Sequence, residues 1–149
     1  MLGFERSEEI VSDNLIEGAE ILFGIKYPVR YREIIRGYSG SWGDVWFRVD
    51  RSSPGFDYCS LGLIHSLNPC HRNNTYSVMA AWTEHGLSPH IIPFGEDGGG
   101  NYVCFDYRRS NIPEVVFYFH ELPGDDGVMK VCDTFEEFLE RLHLPEKDA

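Results

Sequence analysis

Apolar positions in this chain recur with two periods, and each change of period marks the end of an element. Leu15, Ile16, Ala19, Leu22 and Phe23 fall at helical spacing, with Asp13 or Asn14 ahead of them as a cap and Gly24 behind as a stop. Tyr27-Pro28 restarts the chain. Tyr31, Ile34, Ile35 and Tyr38 follow at i, i+3, i+4 and i+7, which predicts a second amphipathic helix ending at Ser39-Gly40-Ser41. The period then shortens. Val45–Asp50 and Ser60–His65 read as strands around an Arg51–Gly55 turn, with Gly62 a candidate bulge. Asn68–Asn74 is a loop ending in a cap. Thr75–His85 predicts a third helix with Val78, Met79 and Trp82 turned inward.

The most informative stretch is Ile91–Glu121. It reads as two long strands preceded by the acidic, glycine-rich turn Asp97-Gly98-Gly99-Gly100-Asn101. Asn101–Tyr107 is rich in aromatic and β-branched residues, and Val115–Phe119 is an unbroken apolar run bounded by Pro113 and Pro123. The short Arg108–Pro113 connection predicts a hairpin. A break at Leu122–Gly127 leads to Val128–Cys132, and the three strands together predict an antiparallel meander. One face of such a sheet packs on helices and the other faces water or a partner. Thr134 and Glu137 have the form of a capping box, opening a last helix with Phe135, Phe138, Leu139 and Leu142 on one face and Pro145 as its stop. The expectation is an α+β fold, one domain over residues 1–149. Its largely antiparallel sheet has about five to six strands, with N-terminal helices, one central helix and a C-terminal helix packed on it.

Charge adds a constraint. The net charge is −11, and it is uneven: seven bases and nine acids precede Pro54, while six bases and fifteen acids follow Ser53. The second part, which contains the meander, thus carries −9. Such a surface repels nucleic acid and anionic membranes and attracts basic partners. The hydrophobic share of 42% is that of a folded globular chain, which excludes intrinsic disorder. There is no run of about 18 apolar residues and no secretory leader pattern, so a cytoplasmic protein is expected. Cys59, Cys70, Cys104 and Cys132 are widely spaced without a CxxC, in keeping with a reducing compartment.

Candidate chemistry is sparse. Asp97-Gly-Gly-Gly-Asn lacks the lysine and hydroxyl residue of a phosphate-binding loop, and a strand follows it, so a tight turn is the simpler reading. The six histidines show no HExxH or HxH spacing, and Cys70-His71 has no second pair, so no metal or cofactor is expected. Nothing brings a particular cysteine and histidine together for nucleophilic catalysis. Asp106 at a strand end reads two ways: a carboxylate offered to a partner, or one bonded to its own turn, to Arg108 or to Arg109. Of the tryptophans, Trp46 and Trp82 read as core. Trp42, between Ser41 and Gly43, is the exposed candidate, on a Trp42–Val49 strand that is a possible open edge.

These motifs, in this order, resemble the SUKH superfamily, which includes cell-wall assembly regulators and bacterial immunity proteins. The resemblance covers about residues 13–142. It rests on Glu20-Ile-Leu-Phe-Gly24, Pro28, Tyr31-Arg32 and Gly40, on Ile92-Pro-Phe-Gly-Glu-Asp-Gly-Gly-Gly-Asn-Tyr-Val-Cys-Phe-Asp106, and on Val115–Tyr118, His120-Glu121 and Phe135–Leu139. It departs at Tyr27, where leucine is usual, and at Ser39, where asparagine is usual.

The resemblance implies a protein-binding domain with no catalytic role. Its bacterial members are similar to antidotes of secreted toxins, many of which act on nucleic acids. The expected function is an immunity protein that occludes the active site of a cognate toxin; the alternative is a regulatory scaffold or adaptor of the cell-wall assembly regulator type. A small enzyme is a third reading, which would need a histidine gathered with a cysteine or carboxylate in a deep cleft. The expected partner is a protein, with no nucleic acid and no membrane. The candidate partner-facing residues are Trp42, Glu96, Asp97, Asp106, Asp125 and Asp126.

Overall fold

The computed structural model describes residues 1–50 and 56–145. The expected turn at Arg51–Gly55 lies outside the described residues. Two helices open the chain, α1 (Asp13–Phe23) and α2 (Val29–Tyr38). Ser12 caps α1, its Oγ accepting from Leu15 N at 3.3 Å, one residue earlier than the sequence pattern places the cap. Gly24 ends the helix in the left-handed conformation, φ 68°. The buried stripe of α1 also differs from the expected one. Leu22 is 66% exposed, while Glu20 is buried at 3%. The Glu20 carboxylate is drawn inward because it accepts from Tyr27 N (2.7 Å) and from Arg32 Nη2 (2.8 Å) and Nε (3.2 Å). It ties α1 to the start of α2.

The sheet has six strands in sequence order, every neighbouring pair antiparallel: β1 (Trp42–Asp50), β2 (Phe56–Ile64), β3 (Ile91–Glu96), β4 (Tyr102–Asp106), β5 (Glu114–Tyr118) and β6 (Val128–Cys132). The fold is α+β, as expected. The expected three-stranded meander is its second half. The strand that the sequence pattern missed is β3, where Pro93 argues against a ladder position. Proline is accommodated because the register shifts between Pro93 and Gly95, which gives β3 an extra residue against β4. Phe94 and Ile92 both join the main core there. Gly95 is required by close approach: a Cβ at this position would lie 2.9 Å from Leu63 O and would strike the Leu61 side chain.

One face of the sheet carries Val45, Phe47, Leu61, Phe94, Val103, Phe105, Val115 and Phe117 against Ile16 and Ala19 of α1, Tyr31 and Ile35 of α2, and Phe135 and Phe138 of the last helix, α5 (Phe135–Arg141). The aromatic contacts are close: Phe94 stacks on Phe105 at 4.3 Å, and Tyr31 meets Phe105 edge-on at 5.2 Å. Thr134 Oγ1 accepts from Glu137 N (3.1 Å). The return bond of the capping box comes to Glu137 from Asp133 N (3.2 Å).

The second face is partly covered. The expected single central helix is two short ones, α3 (Thr75–Ala80) and α4 (Trp82–His85), parted at Ala81. Asn74 caps α3, accepting from Ser77 N at 2.8 Å. The break lets Trp82 drop onto the sheet, where its indole N–H donates to Ile91 O (2.6 Å) inside a small cluster with Leu87, Ile91, Cys104, Val116 and Tyr118. Trp46, expected in the core, is half-buried instead, with its indole N–H on Asp44 Oδ1 (3.2 Å) and its ring beside Tyr58.

β1 is an edge strand in the sheet order, yet it is not bare. Phe4 bridges Gly43, and Trp46 exchanges both backbone hydrogen bonds with His143, at 2.8 and 3.0 Å. Segments from near both ends of the chain therefore occupy the row expected to receive a partner strand.

Candidate functional site

Sheet register decides which candidate residues share a place. Trp42, Leu63, Glu96, Tyr102, Tyr118 and Val128 pair one to the next across all six strands. This row closes one end of the sheet, where the Ser39–Ser41 connection, the loop after β2 and the Asp97–Asn101 turn also lie. Trp42, Glu96 and Asp97 therefore belong to one end of the molecule. Trp42 is 66% exposed. Burying an exposed tryptophan against another surface is a common source of binding energy.

The remaining three candidates lie elsewhere. Asp106 follows Tyr102 by four residues on β4, about 13 Å along the strand. Its side chain is only 3% exposed, and Arg108 holds it through Nε (3.0 Å to Oδ1) and Nη2 (2.9 Å to Oδ2). Burial pushes this carboxyl up, but the Arg108 side-chain and backbone bonds outweigh it and keep it below the ordinary carboxylate range. Asp106 is thus spent inside the fold and does not offer its carboxylate at the surface. Of the two readings of this residue, the geometry is the one that pairs it with Arg108. Asp125, 75% exposed, reaches the same guanidinium at 3.1 Å, and Asp126 beside it is exposed in the turn Gly124–Gly127. Asp125 and Asp126 stand in the β5–β6 connection, which leaves and rejoins the sheet at Tyr118 and Val128, on the far side of the sheet from the β1 edge that carries Trp42, with Asp125 turned back to Arg108.

At the first end, the turn is built by its own side chains. Asp97 Oδ1 accepts from Gly99 N (2.7 Å) and Asn101 N (3.0 Å), and its Oδ2 accepts from the Asn101 amide (2.9 Å). Asn101 Oδ1 accepts in turn from His120 N (3.1 Å). Gly100 sits at φ 87°, which an L side chain would strain. The glycine run is a tight turn, as its sequence implies. It presents one half-buried carboxylate and fixes the β5–β6 connection.

Sequence reasoning missed two partners here. His65 is 1% exposed, its Nε2 lies 3.3 Å from Glu96 Oε2, and its ring is 5.8 Å from that of Tyr102. Glu9, from the unpatterned N-terminal segment, accepts from Ser66 Oγ at 2.8 and 3.0 Å. Ser66 Oγ also lies 3.3 Å from Ser39 Oγ, and Ser41 Oγ donates to Glu5 O (2.6 Å). No local signal could have found these contacts, since Glu9 and Ser66 are 57 residues apart. The result is a hydrogen-bonded end bearing Trp42, Glu9, Glu96 and Asp97.

Among the described residues, no group of three or more His, Cys, Asp or Glu side chains is placed to hold a metal ion. The Cys104 thiol is pushed well up by burial. Burial, then the Glu137 carboxylate, push the Cys132 thiol up to about 12, so neither is a ready thiolate. Among the described residues, no helix is long and apolar enough to cross a membrane.

No curated protein matches the chain. Its whole length from the cap of α1 to the last turn of α5 nevertheless answers to one family description. With residues 10–141 matching the model of the SMI1 / KNR4 family (SUKH-1), the chain belongs to that family.

Proposed function

We propose that this protein is a non-enzymatic, protein-binding member of its family, an immunity protein that neutralises a cognate toxin by covering its active site. The observation that carries this reading is the pre-formed end of the sheet, where exposed Trp42 stands in one paired row with Glu96, and where Asp97 and Glu9 also lie. A tryptophan anchor among fixed carboxylates suits a basic, nucleic-acid-handling cleft, and the net charge of −11 steers encounter with it. Little ordering is required on binding, because Asp97 is already tied to the backbone, Glu9 to Ser66 and Glu96 to His65.

The test is co-expression with the toxin encoded by the adjacent gene, followed by titration of the two purified proteins. Rescue of growth and a saturable complex are expected. Trp42→Ala should weaken the complex by about thirtyfold, equivalent to about 2 kcal/mol. Absence of binding to any neighbouring toxin would sink the reading.

A further inference from the structure

The end of the molecule opposite Trp42 carries a groove of about 600 Å³. One wall is the last turn of α1 and the link to α2: Ile21, Gly24, Ile25 and Lys26. The other is His90, just before β3, with Tyr107 and Asn111 after β4. The two walls are pinned together. Tyr107 OH donates to Lys26 O (2.7 Å), and Tyr107 N donates to His90 O (2.9 Å). The groove is therefore part of the fold.

Its chemistry differs from that of the rest of the surface. Ile21 is 81% exposed, and Ile112, which follows the lining residue Asn111 in the chain, is 70% exposed. A side chain as apolar as Ile21 gains from being covered. The lining includes one carboxylate, Glu20, and Arg32 already neutralises it at 2.8 Å. The remaining charge is Lys26, with the His90 ring and the Asn111 amide as further polar groups on the exposed rim. In a chain of net charge −11, this is an aliphatic wall beside a lysine that makes no ion pair among the described residues. A nucleic acid would leave the isoleucines unmatched and would be repelled by the whole molecule. A second copy carries the same −11.

We infer that this groove is a second docking site, for a short segment of another protein that carries a large aliphatic side chain next to an aspartate or glutamate. The aliphatic group would cover Ile21 and Ile25, and the carboxylate would meet Lys26. With the acidic end left free, one molecule could hold two proteins at once. This goes beyond the toxin-binding reading and does not depend on it.

The experiment is selection of a random peptide display library on the full chain, followed by titration of the enriched peptides. Ile21→Asp, Lys26→Glu and Trp42→Ala, all exposed substitutions, are compared after thermal melts confirm that each variant folds. The expected result is enrichment of sequences pairing Leu, Ile, Met or Phe with Asp or Glu. Their affinity should fall at least tenfold in the Ile21 and Lys26 variants and stay within twofold in the Trp42 variant. No enrichment, enrichment of sequences without a carboxylate, or loss confined to the Trp42 variant would overturn the proposal. So would self-association of the chain, by sedimentation, that Ile21→Asp abolishes, since the occupant would then be a second copy. A toxin that fails to bind leaves these titrations unaffected, so the two readings fail separately.

Discussion

Arg108 holds Asp106 by four hydrogen bonds, three from its guanidinium at 2.9, 3.0 and 3.2 Å and one from its backbone N–H at 3.0 Å. The pair closes the far end of β4. Asp106→Asn removes the charge while keeping the shape, and should cost about 1–3 kcal/mol at pH 7. The folded carboxyl lies below its ordinary value, so its contribution is present above an unfolded pKa of about 4 and is lost as pH falls through the lower, folded value. Urea unfolding curves of the two proteins should therefore converge below about pH 4. An equal gap at pH 7 and pH 3 would show that charge is not what the pair contributes.

Glu20 performs the matching task between the first two helices. Glu20→Ala leaves Tyr27 N without its acceptor and Arg32 without its partner. Because Arg32 remains 35% exposed and can turn to water, the loss should be about 2–3 kcal/mol, below that of a fully buried pair. Glu20→Gln keeps an acceptor for Tyr27 and should lose about half as much. The check is the urea midpoint at unchanged slope.

Gly95→Ala should destabilise by about 2 kcal/mol through overpacking against Leu61 and the Leu63 carbonyl. Leu61→Ala combined with it should recover part of that loss, since only the side-chain clash is relieved. A double-mutant cycle by thermal or urea unfolding measures the coupling. Strict additivity would mean that the two residues do not meet.

Separation of the acidic residues into two groups makes a prediction about binding. Asp126 lies beside β6, at the opposite edge of the sheet from Trp42, and Asp126→Lys should leave affinity for a partner anchored on Trp42 within about threefold, acting mainly on the association rate. Trp42→Ala should act on dissociation. Stopped-flow kinetics at low and physiological salt separates the two; raised salt should slow association in both.

Elements with an uninterrupted period were legible in the sequence. α2 begins and ends where Pro28 and Ser39 imply, α5 begins after Thr134, and β4 to β6 follow their apolar runs; α5 stops at Arg141, ahead of Pro145, with Leu142 extended and His143 paired to Trp46 of β1. β3 was hidden because Pro93 is excluded from a regular ladder, and only the bulge, a property of the pair, makes room for it. The split at Ala81 was hidden because helical spacing continues through it, while the anchor is the Ile91 carbonyl nine residues on. At the candidate site, the exposure of Trp42 between small neighbours was readable. The pairing of Asp106 with Arg108, two residues on, was one of the two readings its local sequence allowed; that Glu96 meets His65 and that Glu9 meets Ser66 are facts of tertiary contact, and nothing local encodes them.

The strand beginning at Trp42 owes its quiet flank to two borrowed pieces, Phe4 on one part and His143 on another. Whatever peels either piece away, whether heat, clipping by a protease or a neighbouring proline, lays open backbone donors and acceptors ready to recruit a like chain. Irreversible clumping of this protein should therefore begin with loosening at those two clasps, before the aromatic interior comes apart.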